Sequence, residues 1–216
     1  MYLPNEIVNK ILLYSSSDDI RAWKDFERMN TATFLKKQYS NVFIAAEYGN
    51  LECLKYLESI GEDVHASNDW ALVMGISNGH LEVVKYLVSI GAICSDVDSA
   101  LPWSAYYGRF ELVKYLVVYL EADIHTENDY ALRLSAKSGH LDIVKFLVSA
   151  GANIHAEDDE ALRLSAKSGH LEVVKFLVSV GANIHAEDDE ALRLSAKSGH
   201  LDIVKFLVSV GYGLRT

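Results

Sequence analysis

The stretch Ala131–Ser149, ALRLSAKSGHLDIVKFLVS, returns unchanged at Ala191–Ser209. It returns again at Ala161–Ser179 with two conservative changes, Asp to Glu and Ile to Val. Copies this close must take the same structure, and copies in series must pack on one another. Weaker copies precede them. Gly49, Gly79, Gly108, Gly139, Gly169 and Gly199 mark six units spaced 30, 29, 31, 30 and 30 residues apart. The lost and the regained residue both belong to the surroundings of the third unit, near Cys94 and near Glu121.

Each unit reads as two helices. The first, such as 161–168, is short and ends at Gly169, which suits a left-handed cap. The second runs from Leu171 to Ser179 and stops at Gly181, with Glu172 in the first turn, where the helix dipole favours a carboxylate. Glu172, Lys175 and Ser179 form one polar line, and apolar residues cover the rest of the helix. A helix that apolar needs cover on several sides, from its own partner and from flanking units. Ser165 and Ala166 are small enough for the first helices to approach closely.

Composition excludes several classes. Half of the 216 residues are hydrophobic, which excludes wholesale disorder. No apolar run approaches the roughly 18 residues that a membrane helix needs. The stretch Ile7 to Tyr14 has Glu6 and Lys10 at its edges and no small-residue cleavage site, so no signal peptide or anchor is expected. Cys53 and Cys94 occupy unrelated places in the unit and read as reduced thiols of an intracellular, cytoplasmic or nuclear protein. The chain carries −10. An acidic array repels phosphate backbones and anionic membranes, so neither nucleic acid nor a membrane is expected as a partner.

The motif Gly-His-Leu-Glu-Val-Val-Lys, followed by Gly-Ala-Asn-Ile-His-Ala after the second helix, resembles the ankyrin repeat, over residues 41 to 216. The resemblance implies an all-α, ankyrin-type helical solenoid that binds a protein and catalyses nothing. Units are expected at about 41–67, 68–96, 97–127, 128–157, 158–187 and 188–216. The sequence departs from a family period of about 33 with a Thr-Pro-Leu-His start. Here the period is 30 and the start is Glu160-Ala-Leu-Arg163. Aligning the helices removes three residues from the β-hairpin finger, so shortened fingers are expected. The shortened unit resembles those of giant DNA viruses (mimivirus-like), which implies a host-cell setting.

Residues 1–40 lack the repeat and are helical by pattern. Pro4 suits a first helical turn. The start Leu3-Pro4-Asn5-Glu6-Ile7, then Ile11-Leu12 and Asp19-Ile20, is similar to the opening of an F-box. That family docks on the Skp1 adaptor of cullin ubiquitin ligases. By this resemblance Leu3, Pro4, Ile7, Ile11 and Leu12 are the docking residues of a substrate receptor for a Skp1-like adaptor. The alternative is an N-terminal helical cap that covers the first unit, with the array sequestering a host protein.

Eight histidines recur at fixed places in the unit. Equivalent histidines lie one unit apart, roughly 10 Å for packed helices, whereas zinc needs ligands converging at about 2 Å. They read as scaffold, with no metal and no cofactor. The runs Glu157–Glu160 and Glu187–Glu190 lack EF-hand spacing and read as a solvated edge in the turns. An enzyme is the distant alternative and would need convergent acid–base groups in a pocket.

In ankyrin stacks, ligands usually lie in the groove lined by first helices and fingers. The two residues before each unit glycine are expected to face it. Tyr48, Asn78, Tyr106, Tyr107, Lys137, Lys167 and Lys197 are therefore candidate partner-binding residues, with Trp70 and Tyr130 at finger positions. Trp and Tyr dominate binding hot spots, which places the partner mainly on the first three units. Trp103 aligns with Leu164 and is assigned to the core. Part of Val204, Phe206, Leu207 and Val208 is expected to be exposed, giving weak self-association through that end of the array.

Overall fold

A computed structural model describes residues 41–93 and 97–211. The chain divides into two compact units, Met1–Ser95 and Asp96–Thr216. The described part of the first holds α1 (Asn41–Glu47), α2 (Leu51–Ser59), α3 (Ala66–Asn78) and α4 (Leu81–Ser89). The second holds α5 (Val97–Tyr106), α6 (Phe110–Tyr119), α7 (Thr126–Ser138), α8 (Leu141–Ser149), α9 (Ala156–Ser168), α10 (Leu171–Ser179), α11 (Ala186–Lys197) and α12 (Leu201–Gly211). There is no strand among the described residues. The architecture is the all-α, ankyrin-type helical solenoid expected. The 1–40 segment, with its cap and adaptor-docking expectations, lies outside the described residues.

Odd-numbered helices are the first helices of the repeats. In the Asp96–Thr216 unit α5, α7, α9 and α11 stack side by side, and each also packs on its following even-numbered helix. The packing follows from the sequence pattern. In α10 the side chains of Val173, Val174 and Leu177 are buried, Phe176 and Val178 are half-buried, and Lys175 lies outside, 2.8 Å from Glu172. Each buried leucine or valine of this kind contributes about 1.5–3 kcal/mol. Ser165 and Ala166 are fully buried where first helices approach each other, and the Ser165 hydroxyl donates to Leu162 O at 2.9 Å. Its polar atom is thereby satisfied inside its own helix.

Gly139 ends α7 at φ 80°, ψ 17°, and the next amide, His140 N, returns to Ser135 O at 3.0 Å. This is a left-handed helix cap of the Schellman kind. Glycine is required twice over here. A Cβ at Gly139 would meet the His170 ring at 2.5 Å, and one at Gly169 would meet the His200 ring at 2.6 Å.

The shortened fingers are single turns. Glu157, Asp158 and Asp159 all have φ between 50° and 58°, and the triplets 127–129, 187–189 and 67–69 repeat the conformation. Each left-handed non-glycine residue costs roughly 1–2 kcal/mol, less for Asn and Asp. Three in a row need holding. Arg163 supplies part of it, donating from Nε to Asp158 O at 3.0 Å and from Nη2 to Glu157 O at 2.8 Å. Its Nη1 reaches the carboxylate of Glu190 in the next repeat. Arg133 makes the same three contacts, to Asn128 O, Glu127 O and Glu160.

Candidate functional site

The histidines form two sets, both structural. His140, His170 and His200 donate from Nε2 to the carbonyl oxygens of Tyr106, Lys137 and Lys167, at 3.0, 3.1 and 3.1 Å. His80 does the same to Glu47 O in the Met1–Ser95 unit. These bonds place each unit-ending carbonyl in one stacking register. The second set, His65, His125, His155 and His185, pairs through Nδ1 with Asp69, Asp129, Asp159 and Asp189.

The acidic runs are more than a solvated edge, which corrects the sequence reading. Glu157 and Asp158 are exposed, but Asp159 is buried and its Oδ1 accepts the Asn183 amide of the next repeat at 2.8 Å. Asp129 accepts the Asn153 amide at 2.9 Å in the same way. Glu160 and Glu190 are occupied by Arg133 and Arg163. No group of three or more His, Cys, Asp or Glu among the described residues is placed to hold a metal. An open polar hollow lined by Asp158, Asp159, Asn183, His185 and Glu187 brings together groups that belong to these turns.

One aromatic residue, Trp103, stands elsewhere than the sequence suggests. In the Asp96–Thr216 unit, Tyr107 is 58 % exposed and Tyr106 half-buried. Trp103, assigned to the core from its alignment with Leu164, is 53 % exposed. Leu134 is buried at the equivalent place and Leu164 only half-buried, so the position sits at the core's edge. A leucine fits there between closely stacked helices and an indole does not. Trp103 instead stands outward, edge-on to Tyr106 at 6.1 Å, and Tyr106 is edge-on to Tyr107 at 5.1 Å. Residues 103, 106 and 107 follow i, i+3, i+4 spacing and share one helix face. That spacing was visible in the sequence and is the signal that reveals Trp103 as part of the face.

Arg109 extends the cluster, its guanidinium 5.0 Å from the centre of the Tyr107 ring. Burial pulls that guanidinium below its ordinary value, with Tyr107 opposing the shift. Tyr130 is half-buried beneath the Arg133 guanidinium at 4.9 Å. Lys137, Lys167 and Lys197 are exposed in the last turns of α7, α9 and α11. In the Met1–Ser95 unit Tyr48 is 49 % and Trp70 40 % exposed, and exposed Asn78 donates from Nδ2 to Met74 O of its own helix. Leu3, Pro4, Ile7, Ile11 and Leu12 lie outside the described residues.

Among the described residues no helix is long and apolar enough to cross a membrane. No curated protein matches the chain. The family model described as ankyrin repeats (3 copies) matches residues 42–128, 93–158 and 132–215. With stacked helix pairs, left-handed glycine caps and that match over most of its length, the chain belongs to the ankyrin repeat family.

Proposed function

We propose that this chain is a non-enzymatic scaffold that holds a protein partner against the exposed face of its first helices. Ankyrin repeats are protein–protein interaction modules, and the observation that carries the reading further is the Trp103–Tyr106–Tyr107 cluster. Exposed aromatics on a rigid helix bury large area at low entropic cost. Tyr48, Trp70 and Asn78 are the proposed contacts of the Met1–Ser95 unit. Comparative affinity capture from a host-cell lysate, with the intact chain and a Trp103→Ala, Tyr107→Ala variant, tests this. Proteins retained by the intact chain and lost from the folded variant support the reading. Identical retention by both sinks it.

A narrower reading makes the chain a substrate receptor for a Skp1-like adaptor in a host cell, cytoplasmic or nuclear and of viral origin. The F-box-like start at Leu3-Pro4-Asn5-Glu6-Ile7 favours it. Purified Skp1 retained by the intact chain and lost with Leu3→Ala, Ile7→Ala would support it. A folded chain that ignores Skp1 leaves a plain binder with an N-terminal cap. Weak self-association through α12 belongs to the same proposal; Leu207 is buried, contrary to expectation, and the support is the half-burial of Val204, Phe206 and Val208 with the exposure of Leu201 and Val210. Sedimentation at rising concentration tests it, and a constant monomer removes it. The enzyme alternative draws no support from the polar hollow, whose Asp159 and Asn183 are joined to each other.

A further inference from the structure

We infer that the partner segment of the Asp96–Thr216 unit is an extended acidic peptide with an apolar anchor and carboxylates at every third residue. The inference rests on the reading of the first-helix face as the docking face, and it names what that face recognises. Lys137, Lys167 and Lys197 occupy the same place in three successive repeats, and Tyr106 occupies that place in the repeat before them. The His140, His170 and His200 bonds to the carbonyls of Tyr106, Lys137 and Lys167 hold the first three of these positions in one register, and Lys197 continues it in the next stacked helix. The line therefore runs from an aromatic cluster to three cations.

Those cations have no acid within ion-pair reach among the described residues. Lys55, Lys85, Lys114 and Lys175 each pair with a glutamate three residues earlier in their own helix. No carboxylate among the described residues pairs with Lys137, Lys167 or Lys197. The closest glutamates along the helices of Lys167 and Lys197, Glu160 and Glu190, are bound by Arg133 and Arg163, and the one in the helix of Lys137, Glu127, lies back in its left-handed turn. From Glu160 to Lys167 the helix rises about 10 Å, and the exposed acids of the left-handed turn lie beyond that. Screening acts over about 8 Å at physiological ionic strength, so the turns do not cancel the lysine row. The row is a positive strip on a chain of net charge −10.

Spacing selects the ligand. Stacked helices repeat at about 8–10 Å. An extended chain advances about 3.3 Å per residue, so three residues match one repeat. Beside the lysines, the exposed hydroxyls of Ser168 and Ser198 can bond the open backbone of an extended peptide, which a helical one does not offer. One apolar residue on Trp103 and Tyr107, then glutamates three, six and nine residues away, satisfies the whole line. Lysine in a last turn also favours its own helix dipole, a purely structural role that would leave binding unaffected.

Synthetic peptides distinguish these roles, with the full chain and tryptophan fluorescence or calorimetry as the readout. One carries Phe and then Glu at every third position; a second is its reverse; a third has the same composition with the glutamates adjacent; a fourth is a helix former with Glu at every seventh position. The expected result is that one of the first two binds about tenfold tighter than the third and fourth, because each exposed pair is worth a factor of about two to three. Binding should weaken with salt and fall about tenfold in a Lys137→Glu, Lys167→Glu, Lys197→Glu variant that circular dichroism shows to be folded. A peptide with lysines in place of the glutamates should recover it. A Lys→Gln triple variant guards against misfolding and should also lose the acidic peptide. Equal binding of the first three peptides, preference for the helical one, or no recovery by the charge-swapped pair overturns the inference. If lysate capture still depends on Trp103 and Tyr107 while no acidic peptide binds, the docking face stands and the acidic register falls.

Discussion

Asp159, 4 % exposed, accepts the backbone amide of Asn183 on its Oδ1 at 2.8 Å, across the boundary between two repeats. The same carboxylate takes the Nδ1 of His155 at 3.0 Å. One buried side chain thus closes its own turn and ties on the next. Replacing it with alanine leaves an amide and an imidazole without their acceptor, at a cost of about 2–3 kcal/mol. Asp159→Asn keeps one acceptor oxygen and should cost less. Asp189, whose side chain is 34 % exposed against 6 % for Asp159, should tolerate alanine better still. Urea denaturation of the three variants gives the order, and equal losses at 159 and 189 would contradict it.

Gly139 and Gly199 have nearly the same left-handed φ, 80° and 82°, but different surroundings. A Cβ at Gly139 collides with the His170 ring, and one at Gly199 meets nothing within 4 Å. Gly199→Ala should therefore cost about 1 kcal/mol for backbone strain alone, and Gly139→Ala at least twice that. Adding His170→Ala to Gly139→Ala should recover part of the loss, a coupling that a double-mutant cycle measures directly. Additive effects would show that the ring is not what the glycine accommodates.

The two-helix unit and its glycine stops were legible because periodicity and backbone freedom are properties of the chain alone. The runs 157–160 and 187–190 misled because four successive acids look like solvent-facing residues. In the first run the left-handed backbone instead turns Asp159 inward, towards an amide 24 residues away, and the last acids of the two runs, Glu160 and Glu190, are taken by arginines. Trp103 misled for the opposite reason. Alignment with Leu164 carries over the place in the fold but not the volume that the place can hold. The exposure of Lys137, Lys167 and Lys197, by contrast, follows from their shared place at the end of the first helix.

Burial pushes the Cys53 thiol up from 9.0 to about 11. Below pH 9 the folded and unfolded chains both carry the thiol, and its contribution to stability is complete. As pH rises from 9 through 11 the unfolded chain ionises first, and about 2–3 kcal/mol of stability is lost across that window. In a Cys94→Ser background the fall in urea stability over this range should be shallower when Cys53→Ala is added. Iodoacetamide at pH 8 should label Cys53 only after denaturation. Rapid labelling of the folded chain would contradict the burial.

Arg163 forks between two backbone carbonyls and Glu190, and a lysine has one point charge to offer the same three acceptors. Arg163→Lys should cost about 1 kcal/mol and Arg163→Met about 2 kcal/mol, since the methionine leaves the partly buried Glu190 unpaired. Amide exchange in the 157–159 turn should quicken in both variants. Unchanged exchange would mean that the turn holds its left-handed form without the guanidinium.

Trp103 separates the scaffold from its use. Substituting Leu, the residue at this place in the three repeats that follow, restores the pattern that buries Leu134 to 5 %. Trp103→Leu should leave stability unchanged or raise it by up to about 1 kcal/mol, because an exposed indole is exchanged for a residue the slot accepts. Partner binding should move the other way and weaken about tenfold, the loss expected for truncating one aromatic hot spot. Thermal denaturation and affinity for the captured partner, measured on the same preparation, decide the matter. A fall in both would make Trp103 a structural residue and return the docking face to Tyr106 and Tyr107 alone. Stability kept and affinity lost would show that the third repeat gives up a packing residue in order to hold its partner.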